Sequence, residues 1–152
     1  MIIGGLQERR LGPRGNIKVR SFPGATTNDM LDYLQPLLRK KPDRIILHVG
    51  TNDAIDHSAK EITERIINLK NTIEKGLKGT RIIISSPVNR LDNPKCAEKI
   101  RNLNASLENT QGIELLSNNN IATKHLSRKK LHLNNDGTKL LAANILSKLR
   151  NL

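Results

Sequence analysis

Arg44-Ile45-Ile46-Leu47-His48-Val49-Gly50-Thr51-Asn52-Asp53 is the stretch from which the rest of the chain can be read. Residues 44–49 form an almost continuous apolar run, the pattern of a strand buried on both faces of a parallel sheet. Gly50 opens a polar loop directly after it. A second buried-type run lies at 81–85, closed by Pro87, and a short one at 113–116. Residues 17–22, Ile-Lys-Val-Arg-Ser-Phe, alternate apolar and polar and read as a further strand, ended by Pro23-Gly24.

Helical periods fill the intervals. Thr26 or Thr27 can cap a helix running to about Lys40, with Met30, Leu31, Leu34 and Leu38 on one face. Lys41-Pro42-Asp43 breaks it. Ser58 and Glu61 have the spacing of a capping box, and Ile62, Ile66, Leu69, Ile73 and Leu77 form the stripe of the next helix. Pro94 opens a helix carrying Cys96, Ile100, Leu103 and Leu107. The last helix covers about Asp136 to Leu149. Strands alternating with helices at this spacing predict an α/β fold, a parallel sheet with helices on both faces. No internal repeat or linker interrupts the 152 residues, so residues 1–152 are expected to form a single domain.

Composition removes several classes of function. One cysteine, Cys96, excludes an internal disulfide framework, and no Cys/His group has zinc spacing, so neither a metal nor another cofactor is expected. The apolar runs are too short to span a bilayer, and Met1-Ile2-Ile3-Gly4-Gly5 lacks the pattern of a signal peptide. The expectation is a soluble, cytoplasmic protein. With 22 Leu and 17 Ile against one Phe, one Tyr and no Trp, the core is aliphatic and no base-stacking platform is available. The net charge is +12. The basic residues gather at Arg9, Arg10, Arg14, Lys18 and Arg20; at Arg39, Lys40, Lys41 and Arg44; and at Lys124, Arg128, Lys129 and Lys130. Such a surface favours non-specific binding of nucleic acid or anionic lipid, and composition does not choose between them.

In parallel α/β sheets, ligands sit beyond the carboxyl ends of the strands. Three features fall there. Asn52, in Gly50-Thr51-Asn52-Asp53, places a side-chain amide where it can donate to a developing oxyanion. Gly24 lets a backbone N–H approach a substrate oxygen closely. His132, shortly before the last helix, can serve as a general base. Each has a plain alternative: a polar turn, a turn glycine, and a solvent-exposed loop histidine.

Taken together and in this order, these residues resemble the SGNH hydrolases, also called GDSL-type esterases and lipases. Gly24 matches that family's second block. Gly50-Thr51-Asn52-Asp53 matches the third in full. His132, with Gly137 five residues on, matches the His of the last block. The resemblance covers essentially the whole chain and implies a three-layer, flavodoxin-like α/β/α sandwich. It implies ester hydrolysis through an acyl-serine, with Gly24 and Asn52 as oxyanion-hole elements and His132 as base. Ser21 to Asp53 look most like the esterase domains of LINE-type retrotransposon first open reading frames and their animal-genome relatives.

Two departures stand out. No Gly-Asp-Ser block occurs in the sequence, and Ile3-Gly4-Gly5-Leu6-Gln7 resembles the segment just after that block in relatives. The chain is therefore expected to begin after the nucleophile and to lack the family's first strand, which would leave a gap between 17–22 and 44–49 and a poorly packed chain. Lys129 stands three residues before His132, where the family has Asp, and a cation cannot orient or stabilise an imidazolium. Ser21, Ser85 and Ser86 end strands at the crevice rim, but a nucleophile must sit where base and oxyanion donors converge. The expectation is an esterase domain that is inactive or incomplete. The alternative is a non-catalytic basic module of a retroelement protein that binds RNA or anionic membrane.

Overall fold

A computed structural model describes residues 17–150. The glycine-bearing stretch at 3–7 and the basic residues Arg9, Arg10 and Arg14 lie outside the described residues. Three strands, β1 (Arg44–Leu47), β2 (Arg81–Ser85) and β3 (Glu114–Leu116), form a parallel sheet in the order β1-β2-β3. Ile45 pairs with Ile82, Leu47 with Ile84, and Ile84 with Leu115. The helices are α1 (Asp29–Tyr33), α2 (Gln35–Leu38), α3 (Ala59–Gly76), α4 (Pro94–Asn109) and α5 (Asn135–Arg150).

The sheet separates two apolar layers. Ile82 and Ile84 face α3 and α4, meeting Ile62, Ile66, Ile100 and Leu103. Ile83 faces the opposite side, where Leu141, Ala142 and Ile145 of α5 cover it. All of these side chains are buried. A strand buried on both faces needs an unbroken apolar run, which is what 81–85 provides before Ser85. Together the layers make the α/β/α arrangement.

Local signals set the helix starts. Ser58 N–H donates to the Glu61 carboxylate at 2.8 Å while Glu61 N–H donates to Ser58 Oγ at 3.3 Å, a complete capping box. Asn93 Oδ1 accepts from the Lys95 and Cys96 amides just before Pro94 opens α4. Asn134 Oδ1 accepts from Gly137 N–H at 2.9 Å at the start of α5.

Two expectations are corrected. Residues 17–22 form no strand. Their alternation reflects packing, with Ile17 and Val19 against the α5 layer and Phe22 against the α3–α4 layer. The gap expected between a strand at 17–22 and β1 is therefore not formed by two strand edges, and among the described residues β1 is the edge of the sheet. Second, the single helix to Lys40 is split into α1 and α2. Pro36 has no N–H for the Asp32 carbonyl, so the helical ladder is interrupted and a second short helix starts at Gln35.

Candidate active site

Beyond the carboxyl end of β1, two loops lock together. Phe22-Pro23-Gly24-Ala25 is a tight turn closed by Ala25 N–H donating to the Phe22 carbonyl at 3.1 Å. Gly24 has φ +79°, the value required at the second central position of a type II turn after Pro. A Cβ there would meet nothing within 4 Å, so the Gly24 backbone faces open space. Phe22 stacks on Tyr33 of α1, with ring centroids 4.7 Å apart, and steadies the turn.

The Gly50–Asp53 loop docks onto this turn through side chains. Asn52 Nδ2 donates to the Ala25 carbonyl at 2.8 Å. An Asn amide carries two protons, so Ala25 orients the group and leaves one N–H directed elsewhere. Buried Asp53 accepts from Thr27 N–H, 3.1 Å to each carboxylate oxygen, and from Thr27 Oγ1 at 2.6 Å. Gly50 has φ +102°, and a Cβ there would press on Ile62 and Leu103 at 3.2 Å. The loop leaves the strand by passing tightly over α3 and α4, which only glycine permits. Gly24 and Asn52 are thus brought together.

His132 sits at the same end of the sheet, in the connection from β3 to α5, but is exposed and hydrogen-bonds to neither. Its carbonyl accepts from Ser127 N–H at 2.6 Å, and Leu126 bridges Leu133. Lys130 N–H donates to the Ser127 carbonyl at 2.8 Å, closing the turn that carries Lys129. Leu91 N–H donates to the Lys130 carbonyl at 2.8 Å, which ties this loop to the chain leaving β2. Among the described residues, no carboxylate pairs with the imidazole. Gly137 is required sterically: a Cβ there would collide with the His125 carbonyl oxygen.

The candidate replacement nucleophiles Ser85 and Ser86 are engaged elsewhere, and Ser21 has no hydrogen bond to His132. Ser85 and Ser86 are buried, while Ser21 is exposed. Ser86 Oγ accepts from Asn118 N–H at 2.9 Å, and Ser85 Oγ accepts from Asn118 Nδ2 at 2.8 Å. Ser85 Oγ also lies 3.0 Å from His48 Nδ1. Since Ser85 already accepts Asn118's proton, donating its own to Nδ1 uses both the hydroxyl and that ring nitrogen. His48 then carries its proton on Nε2, an atom that is buried and without a partner among the described residues. Burial pushes the His48 imidazole down to about 4. A Ser–His pair of this kind has the form of a nucleophile and base, but the serine is sealed from substrate and the histidine is too weak a base. It is a core hydrogen bond.

Sequence reasoning misses this polar cluster. The available signals were a polar His in an otherwise apolar strand and the Ser pair ending the next one. A narrow pocket lined by His48, Phe22, Ala25 and Asn52 has a volume of about 10 Å³, room for about one water and not for an ester. Among the described residues, no group of three or more His, Cys, Asp or Glu could hold a metal ion, and no helix is long and apolar enough to cross a membrane.

Comparison with known proteins bears on the family and the fold. A family model described as the GDSL-like lipase/acylhydrolase family matches residues 4–140. A lipase/acylhydrolase from Enterococcus faecalis superposes with TM-score 0.70 at 21% identity, over 84% of this chain and 72% of that one. A putative platelet activating factor from Streptococcus pneumonia gives 0.74 at 20% identity, over 97% and 79%. A GDSL-like lipase from Bacteroides thetaiotaomicron gives 0.73 at 16% identity, over 87% and 74%. At these identities the structures show a shared fold. No curated protein matches the chain.

Proposed function

The chain belongs to the GDSL-like lipase/acylhydrolase family, and from that premise we propose that its Gly24–Asn52 cradle is the oxyanion side of an ester-cleaving site. The observation that carries the reading is the Asn52 amide held by the carbonyl of Ala25, next to the open Gly24 backbone. In the family reaction a serine attacks the ester carbonyl, and a histidine, here His132, takes the serine's proton. The tetrahedral oxyanion forms at donors in the place of Gly24 N–H and Asn52 Nδ2–H. The alcohol leaves with the proton returned by histidine, and water then releases the acid. The ester substrate class follows from the family alone.

We further propose that this sequence turns over esters at background rate. It contains no Gly-Asp-Ser, and Lys129 replaces the carboxylate that would orient His132. The test is hydrolysis of short-chain p-nitrophenyl esters by the chain and its His132→Ala variant, with and without an added N-terminal strand and Gly-Asp-Ser. The expected result is equal background for the unextended pair, and turnover in the extended chain that His132→Ala abolishes. Turnover by the unextended chain that disappears on replacing Ser21, Ser85 or Ser86 overturns the proposal.

A second reading, a basic module of a retroelement protein that binds RNA or anionic membrane, is favoured by the net charge of +12 and by the likeness of residues 21–53 to retrotransposon esterase domains. It operates through the surface and is compatible with a silent catalytic site.

A further inference from the structure

At the amino end of the sheet, away from Asn52, the chain entering β1 and the chain entering β2 border an open cleft of about 460 Å³. Its walls carry Lys41 on one side and Lys75 and Lys78 on the other, with Asp43 the only acidic side chain among the described residues that line it. The floor is fixed, since Thr80 Oγ1 donates to the Pro42 carbonyl at 2.7 Å and Arg81 N–H to the Asp43 carbonyl at 2.9 Å.

Nearby acids are already occupied. Glu74 pairs with Lys70 at 2.6 Å, and Glu114 holds both Arg81, at 2.6 Å, and Lys148, at 2.9 Å. Among the described residues, the three cleft lysines form no ion pair. Lys75 also complements the carboxyl end of α3. That role does not extend to Lys41, which reaches the same space from the end of α2. Three ammonium groups around one concave space, against one carboxylate, make a site for a multiply charged anion.

We propose that this cleft binds the phosphodiester backbone of nucleic acid. The inference rests on the second reading above and gives it a location. A membrane-binding surface couples basic residues to apolar side chains that enter the lipid. Among the described residues this cleft exposes none: Leu77 in its wall is buried, and the exposed large apolar residues described, Tyr33 and Ile55, belong to other segments. With no aromatic ring in the lining, bases are not read, so binding is independent of sequence and strongly salt-dependent.

The test is fluorescence anisotropy with a short labelled oligo(U), titrated between low and physiological salt. It compares the chain, a Lys41→Gln/Lys75→Gln/Lys78→Gln variant, and a Lys124→Gln/Arg128→Gln/Lys129→Gln variant that removes the same charge elsewhere. Circular dichroism checks that each variant is folded, and phosphatidylserine vesicles are the competing ligand. The cleft variant is expected to lose at least about tenfold in affinity at low salt and about two from the log–log salt slope, at roughly 0.7 per phosphate contact. The control variant is expected to change much less. Equal losses in both variants overturn the location while leaving polyanion binding intact. Binding to vesicles but not to oligo(U), or no binding to either at low salt, overturns the cleft proposal; absence of all binding also removes the second reading.

Discussion

Replacing Asp53 with Ala tests whether the candidate site is held by one buried carboxylate. In the native chain Asp53 receives two donors, the Thr27 amide shared between both oxygens and the Thr27 hydroxyl at 2.6 Å. Hydrogen bonds to a charged group contribute about 1.5–3 kcal/mol each, and removing the acceptor leaves buried Thr27 unsatisfied. Asp53→Ala is therefore expected to lose about 3–6 kcal/mol, a large share of the ~5–15 kcal/mol of an ordinary domain. Asp53→Asn keeps one acceptor oxygen but turns an NH₂ toward one donor, and Thr27→Val removes only the hydroxyl. Each is expected to lose about 1.5–3 kcal/mol. Urea unfolding monitored by circular dichroism measures all three, and the double variant gives the coupling. Hydrogen exchange at Thr27 and Asn52 should accelerate in every variant, because the two loops part. A loss below about 1 kcal/mol for Asp53→Ala, or additive effects of Thr27→Val and Asp53→Asn, would refute the claim that this bond joins the loops.

Three further outcomes rest on the same structure. Gly137→Ala forces a Cβ into the His125 carbonyl, so α5 must shift and stability is expected to fall by on the order of 2 kcal/mol or more in urea titration; an unchanged midpoint contradicts the packing. For His48, the native imidazole is held at about 4, against an ordinary 6.5, by burial. Between those values the unfolded chain binds a proton that the native ring refuses, so this contribution is complete above pH 6.5 and is lost as pH falls toward 4. It amounts to about 3 kcal/mol at 1.36 kcal/mol per unit. His48→Asn, which can still accept from Ser85, should flatten that part of the stability–pH curve, and an identical curve rejects the assignment. Finally, in a chain supplied with a serine block, Asn52→Ala is expected to lower kcat by about 10²–10³ with little change in KM, as for other oxyanion donors. A change confined to KM would make Asn52 a binding residue only.

Much of the architecture was legible in the chain, because buried parallel strands and amphipathic helices write their burial directly into residue order. Residues 81–85 form β2 as the apolar run indicates, and Ser58 with Glu61 caps α3 as their spacing indicates. These signals are local, set by neighbours within one turn or one strand. Alternation at 17–22 was a weaker guide. Side chains can alternate between an apolar layer and solvent, as Ile17 and Val19 do with Lys18 and Arg20, without the backbone joining a ladder, so period two did not make a strand there.

The site divides along the same line. Gly24, Asn52 and His132 could be named from sequence, since a glycine after Pro, a polar loop after a buried strand and a loop histidine are each visible alone. Their relations could not. That Ala25 orients the Asn52 amide, that Asp53 anchors Thr27 across 26 residues, and that Ser85 is committed to His48 and Asn118 depend on which segments the sheet brings side by side. Hydrogen bonds act over about 3 Å, so they are settled only when distant parts of the chain have packed. The same holds for the cleft. Sequence places Lys41 far from Lys75 and Lys78, and only the parallel register of β1 and β2, which lays their entering loops side by side, turns scattered charge into a single concave surface.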